Sequence, residues 1–172
     1  MGTPIERAFR HCPNCGTEHP DPGEIPFRCS NCDFAMFFGP VAAVGALVVD
    51  SEGRLLLVRR SRDPGKGKWG LPGGFVDRNE TIEDALIREV FEETKLRLTD
   101  VKLFMTYPNR YDYNGFVSAV IDLFYTCRFD DRDDIKLQQS ELDRFAWVES
   151  AEMYLNEMAF ASNRRAIEAW MR

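Results

Sequence analysis

The chain has 172 residues, enough for one ordinary domain and a small appendage. Hydrophobic residues make up 44% and charged residues 29%, with a formal net charge of -6 at pH 7. That balance suits a globular protein in water and gives no global attraction to nucleic acid or to an anionic membrane surface. No apolar signal core follows the start, and no run of about 18 apolar residues is present, so neither a secretory signal nor a membrane span is expected. The expected location is the cytoplasm, where disulfides are disfavoured.

Four of the five cysteines form two C-x-x-C pairs, Cys12–Cys15 and Cys29–Cys32. Between them lie Pro20, Pro22, Gly23 and Pro26, which favour turns over helix. Two such knuckles bring four thiolates onto one tetrahedral ion, so a structural Zn2+ is expected in preference to two disulfides or four unrelated thiols. Gly16 suits the tight turn after the first pair; Asp33 at the matching place tolerates it less well. So short a segment has little core, and metal binding is expected to supply much of its folding free energy. His11 and His19 are expected to be solvated neighbours rather than ligands, and Cys127, inside a strand pattern, an inert core thiol. The ribbon can serve to bind nucleic acid, to pack as a dimer element or to cap a substrate pocket.

From about residue 40 the pattern changes. Val41–Asp50 reads as a buried strand, Asp50–Gly53 as a turn and Arg54–Arg60 as the return strand of a hairpin. Ser61–Lys68 is a Gly- and Lys-rich loop, and Trp69–Gly74 a short extended approach to a Gly-Gly turn. A helix is expected from Thr81, with Asp84 completing a weak capping box, to about Thr94. Leu98–Tyr107 reads as a strand, Tyr107–Gly115 as an aromatic polar loop, and Phe116–Phe129 as a long strand alternating through Val117, Ala119, Ile121, Leu123 and Tyr125. Asp130–Glu141 is an acidic loop, Leu142–Val148 a strand, and Ser150–Leu155 and Phe160–Met171 short helices. Strands around a central helix, with helices at the end, predict an α/β sandwich around a mixed sheet.

The central helix carries the chemistry. Leu86, Ile87, Val90 and Phe91 are expected on a side docked to the sheet, with Glu89, Glu92 and Glu93 clustered on the opposite side, facing a cleft. Three carboxylates so close need a positive charge among them, and a divalent cation such as Mg2+ or Mn2+ takes oxygen ligands. Arg88 can pair with Glu92 four residues on, and Glu80 sits in the turn ahead.

Gly74, Glu80, Arg88, Glu89, Val90, Glu92, Glu93 and Leu96 fit the pattern G-x5-E-x7-R-E-U-x-E-E-x-G-U, where U is a bulky aliphatic residue; this stretch resembles the Nudix box. One position departs, since Lys95 replaces the late glycine. The resemblance runs from about Val41 to Val148 and implies a Nudix α/β/α sandwich. It also implies Mg2+-dependent hydrolysis of a nucleoside diphosphate linked to another moiety. Carried over to this chain, Glu89, Glu92 and Glu93, with the carbonyl of Gly73 or Gly74, would hold the metal. Glu93 or Glu141 would take the proton from the attacking water, and Glu80 and Arg88 would orient the shell. Lys95 must adopt a left-handed conformation, at a cost of about 1 kcal/mol, or let the helix run on.

Arg59, Arg60, Arg62, Lys66 and Lys68 flank the box and are candidates for phosphate contact, Arg60 and Lys68 first among them. Tyr107, Tyr111, Tyr113 and Phe116 can stack on a base, with Tyr111 and Tyr113 preferred, while sheet-edge packing is the expectation for Phe116. A ribbon ahead of a Nudix domain resembles the NADH pyrophosphatases, but their marker S-Q-P-W-P-F-P-x-S is absent from Met105–Gly115, so ADP-ribose or another ADP-linked compound is as good a candidate as NADH. The resulting division is a zinc ribbon at 1–39 and a Nudix hydrolase domain at 40–172. A nucleotide sensor that uses the ribbon on DNA, and a protein-interaction module, are the alternatives; the complete carboxylate set and the negative net charge favour the enzyme. A homodimer is expected from the family resemblance alone.

Overall fold

The computed structural model describes residues 2–130 and 134–172. The stretch of the expected acidic loop at 131–133 lies outside the described residues. The chain divides into two compact units: one runs through Val41 and takes in Arg110–Val120, and the other holds Ala42–Asn109 and Ile121–Arg172.

The first unit contains three two-residue strands: β1 (Thr3–Pro4), β2 (Phe27–Arg28) and β3 (Ala35–Met36). β2 and β3 pair antiparallel, and β1 lies parallel to Phe116–Val117. The core of the ribbon is small: Cys12, Phe27 and Cys29 are buried, with Phe9, Phe34, Met36 and Phe38 packed around them. The two knuckles share one geometry. Gly16 N–H donates to the Cys12 carbonyl and Asp33 N–H to that of Cys29, at 2.9 and 3.1 Å. Both turn residues are left-handed, Gly16 at φ 76° and Asp33 at φ 58°. His19 departs from expectation. It is buried, stacks on Phe27 with centroids 4.5 Å apart, and bonds through Nε2 to the Arg28 carbonyl. With both ring nitrogens engaged, the second by Asp21 N–H, it braces the loop between the knuckles.

The second unit contains most of β4 (Val41–Val48), then β5 (Leu55–Arg60), β6 (Trp69–Gly70), α1 (Ile82–Thr94), β7 (Leu98–Tyr113), β8 (Phe116–Phe129), β9 (Leu142–Val148) and α2 (Ala161–Trp170); the outer ends of β7 and β8 belong to the first unit. β8 pairs with both β4 and β7, while β5 lies between β6 and β9, antiparallel to each. The strands sort their side chains by period two. Val44, Ala46, Val48, Leu56 and Val58 pack with Ala85, Leu86 and Val90 of α1. Leu47, Leu55 and Leu57 pack with Trp69, Phe124, Ala166 and Ile167 on the α2 side. These two cores on opposite faces make the α/β/α sandwich.

Three expectations are corrected. The Tyr107–Gly115 stretch is mostly strand, because β7 runs on to Tyr113 before a tight turn at Asn114 and Gly115. Its aromatic and β-favouring residues pair with β8 rather than looping out. On β8 the inner positions are Val117, Val120, Asp122, Phe124, Tyr125 and Cys127, while Ala119 and Ile121 are exposed. The strict alternation fails where the strand is covered on both faces. The first terminal helix is a 3-10 turn at Ala151–Glu157. No helix among the described residues is long and apolar enough to cross a membrane.

Candidate active site

The box begins where the chain runs beside β4. Val44 N–H donates to the Gly74 carbonyl and Ala46 N–H to the Pro72 carbonyl, at 2.8 and 2.9 Å. The two glycines are required by contact. A Cβ on Gly73 would sit 2.1 Å from the Val44 carbonyl oxygen, and Gly73 has φ 143°. A Cβ on Gly74 would lie 2.5 Å from the Glu89 carboxylate. Gly74→Ala is therefore expected to displace Glu89 and lower kcat by about 10- to 100-fold, the usual effect of misplacing a supporting group. An unchanged kcat in steady-state assays would show that Glu89 is dispensable.

α1 starts where expected: Thr81 Oγ1 accepts from Asp84 N–H at 3.1 Å. It ends at Lys95, which takes the left-handed conformation at φ 66°, its N–H on the Phe91 carbonyl. Lys95 thus does the work of the family's glycine under strain. Lys95→Gly is expected to raise Tm by about 2–4 °C, corresponding to about 1 kcal/mol. A Tm that falls in a thermal melt would mean that the Lys95 side chain, 5.1 Å over the Phe91 ring, outweighs the strain.

The division of α1 into an apolar and an acidic side is corrected. Leu86 and Val90 are buried, but Ile87 and Phe91 are 42% and 41% exposed. Glu93 shares the buried face, because it follows Leu86 by about two turns, close to the helical repeat. It is 5% exposed and accepts Gly73 N–H through Oε2 at 2.9 Å. Burial pushes its carboxyl up to about 8; the Gly73 N–H opposes this, and the charges of Glu89 and Glu141 add to it. Burial also raises Glu89, against the pull of Arg88. Glu92 lies at the exposed edge.

Arg88 ties the shell together. Its guanidinium binds Glu80 through Nε at 3.0 Å and Nη2 at 2.7 Å, Glu89 through Nη1 at 2.9 Å, Glu92 at 3.3 Å and the Phe75 carbonyl at 3.2 Å. The Arg88 bonds and the Asp77 N–H hold the Glu80 carboxyl down to about 2. Glu141 sits on the turn before β9, near enough for its charge to raise both Glu89 and Glu93.

The basic residues divide. Arg59 is bound side-on to Asp143 at 2.8 and 3.0 Å, and Arg62 pairs with Glu141. Arg60 bonds to the Pro64 carbonyl and lies over the Phe160 ring, and its charge reaches Glu93. Lys66 and Lys68 are exposed, with no ion pair among the described residues. Tyr111 and Tyr113 belong to the first unit and stack on each other at 6.4 Å; Tyr107 joins the core on the α2 side. Nothing in the sequence marks Asn163, whose Oδ1 accepts Leu71 N–H at 2.8 Å and so holds the approach to the Gly-Gly turn from 92 residues away. An open cavity of about 510 Å³ near the other end of β5 and β9 is lined by Asp50, Arg54, Phe129, Ile135, Phe145 and Trp147 and includes none of these carboxylates.

Two donor sets fit metals of different kinds. In the ribbon the four sulfurs lie within 4.8 Å of one another. Cys12 and Cys32 Sγ are 3.7 Å apart, Cys15 and Cys29 Sγ 3.6 Å, close to the edge of about 3.8 Å that a tetrahedron with 2.3 Å Zn–S bonds requires. Asn14 Nδ2 reaches Cys32 at 3.5 Å and Asn31 Nδ2 reaches Cys15 at 3.6 Å, each stabilising a thiolate of the other knuckle. Glu89, Glu92 and Glu93 form no such close set; Arg88 stands between Glu89 and Glu92. They are hard oxygen donors, two of them raised by burial and mutual repulsion, which suits a hard divalent cation.

Within the α/β/α sandwich, a glycine turn thus packs against a glutamate-rich helix. A family model for the NUDIX domain matches residues 39–171, and the chain belongs to that family. An ADP-ribose pyrophosphatase of Methanocaldococcus jannaschii is 36% identical over 90 residues, 51% of this chain and 52% of that protein. A Haemophilus influenzae NAD-capped RNA hydrolase, NudC, is 26% identical over 145 residues, 82% of this chain and 52% of that one. The chain thus spans about half the length of these curated relatives. The Nudix domain of Shewanella oneidensis NrtR, crystallised with ADP ribose, superposes with a TM-score of 0.64 at 25% identity, covering 78% of this chain and 88% of that one.

Proposed function

We infer that the protein hydrolyses the diphosphate linkage of a nucleoside diphosphate derivative, with ADP-ribose or a similar ADP-linked compound as substrate. The observation that carries this reading is Glu93, fixed on Gly73 N–H, its carboxyl raised by burial and further by Glu89 and Glu141. In this reading residues 1–39 are the zinc ribbon and 40–172 the hydrolase domain. Glu89, Glu92 and Glu93, with the Gly74 carbonyl, hold Mg2+ or Mn2+. A cation held there would supply charge to neutralise the diphosphate and to acidify a water. Glu93, next to the Gly-Gly turn, takes the proton from the attacking water, and Glu141 is the alternative acceptor. Glu80 and Arg88 keep Glu89 and Glu92 in place. Arg60 and Lys68 meet the phosphates. Within the first unit, the stacked rings of Tyr111 and Tyr113 suit a base.

The named activity of the Methanocaldococcus relative and the ligand in the NrtR domain structure support an ADP-ribose-like substrate. The NudC relative adds NAD-capped RNA to the candidates; NADH is carried by the resemblance of the ribbon-plus-Nudix arrangement to the NADH pyrophosphatases. The test is Mg2+-dependent phosphate release, coupled to phosphatase, from ADP-ribose, NADH, FAD, diadenosine polyphosphates and an NAD-capped RNA. Release from at least one is expected. Silence across the panel together with tight ADP-ribose binding would replace the enzyme with a nucleotide sensor.

A further inference from the structure

Glu141 is fixed twice by consecutive residues of the loop after β5. Ser61 N–H donates to its carbonyl oxygen at 2.8 Å, and Arg62 Nη2 holds its Oε2 at 2.6 Å. The turn that carries it is closed by Glu141 N–H on the Gln138 carbonyl at 2.9 Å, and Ser61 Oγ reaches the Gln139 carbonyl. The same segment is anchored to the end of α1: Gln138 N–H donates to the Glu93 carbonyl at 3.0 Å and Lys136 N–H to that of Thr94 at 2.9 Å. The Glu141 backbone is thus tied to the Glu93 backbone, while its carboxylate direction is left to one guanidinium. Arg62 is itself 57% exposed, with no other ion pair among the described residues, so the pair is worth little as a stability element.

We propose that Arg62 is a positioning residue: it turns the Glu141 carboxylate toward the Glu89–Glu93 cluster, leaving Oε1 to act there, and couples the basic Ser61–Lys68 loop to that cluster. The proposal rests on the carboxylate reading given above. It also distinguishes Arg62 from Arg60 and Lys68, which are assigned to the substrate phosphates.

The test uses the full chain and two readouts, Mn2+ affinity by electron paramagnetic resonance without substrate and steady-state kinetics. Electrostatics alone makes Arg62→Ala bind Mn2+ more tightly, since a positive charge leaves the neighbourhood. Positioning requires the reverse: Mn2+ affinity and kcat both fall about 10-fold, the usual effect of losing a supporting partner, with KM nearly unchanged. Arg62→Lys, which keeps the charge but not the planar fork, recovers part of the loss. Arg62→Ala combined with Glu141→Gln is no worse than Glu141→Gln alone. Unchanged or tighter Mn2+ binding in Arg62→Ala, a raised KM at constant kcat, or additive losses in the double variant would each overturn the assignment. The carboxylate reading fails separately, if the wild-type chain binds no Mn2+ or if Glu93→Gln changes nothing.

Discussion

Glu93→Gln is expected to lower turnover by at least about 10³-fold while making the metal-free protein more stable at pH 8.5. Both effects come from one buried carboxylate. The amide keeps the shape and can still accept Gly73 N–H, so the fold is retained. It supplies neither an anionic ligand nor a base. The stability effect follows from linkage. The Glu93 carboxyl is raised from 4.5 to about 8, so between those values the folded protein binds a proton that the unfolded chain has released. The associated stability is fully present below pH 4.5 and is lost as pH rises toward 8, a swing of several kcal/mol. Added Mg2+ neutralises the same charge. It should therefore raise Tm more at pH 8.5 than at pH 6 in the wild type, and much less in the variant. Thermal melts at the two pH values, with and without Mg2+, check this. A variant as active as wild type, or a Mg2+ effect independent of pH, would remove Glu93 from the metal site.

Stripping zinc, or replacing Cys29 by serine, is expected to unfold the ribbon and leave the second unit folded. The ribbon buries only Cys12 and Cys29 beside Phe27, with four partly buried aromatic or methionine side chains around them. Such a core does not offset the backbone entropy of some thirty residues, at about 1–2 kcal/mol each. Zinc binding, at about 10–16 kcal/mol, is the largest single contribution that can be added to so small a core. Hydrogen exchange should show protection lost across residues 9–38 on chelation and kept in α1 and β5. Protection that survives both chelation and Cys29→Ser would mean that the ribbon is held by its aromatic contacts alone.

The layering, the helix bounds and the cysteine cluster were legible in the sequence because each rests on short-range periodicity or spacing. Thr81 capping α1, and Lys95 forced left-handed at its end, were local questions with local answers. Most of the failures concern burial, and several of them depend on distant chain. The charge of Glu93 groups it with Glu89 and Glu92, although its spacing from Leu86 puts it on the buried side. His19 was placed in solvent because histidine near a cysteine knuckle has no periodic signal. β7 was cut short at Tyr107 because a run of tyrosine, asparagine and proline resembles a loop until a partner strand is known. Arg62, Glu141 and Asn163 act through contacts about 80 to 90 residues away, for which a single sequence holds no sign.

The bonds from Lys136 and Gln138 to the last carbonyls of α1 have a consequence for how such a site diversifies. An insertion between Lys136 and Gln138 would break one of these bonds and disturb the helix end that carries Glu93. The Ser61–Lys68 hairpin closes on itself, through Gly67 N–H on the Arg60 carbonyl and Lys68 N–H on that of Gly65. Change in this part of the chain is therefore best tolerated between Asp63 and Gly67, past the Ser61 and Arg62 contacts that tie the hairpin to Glu141.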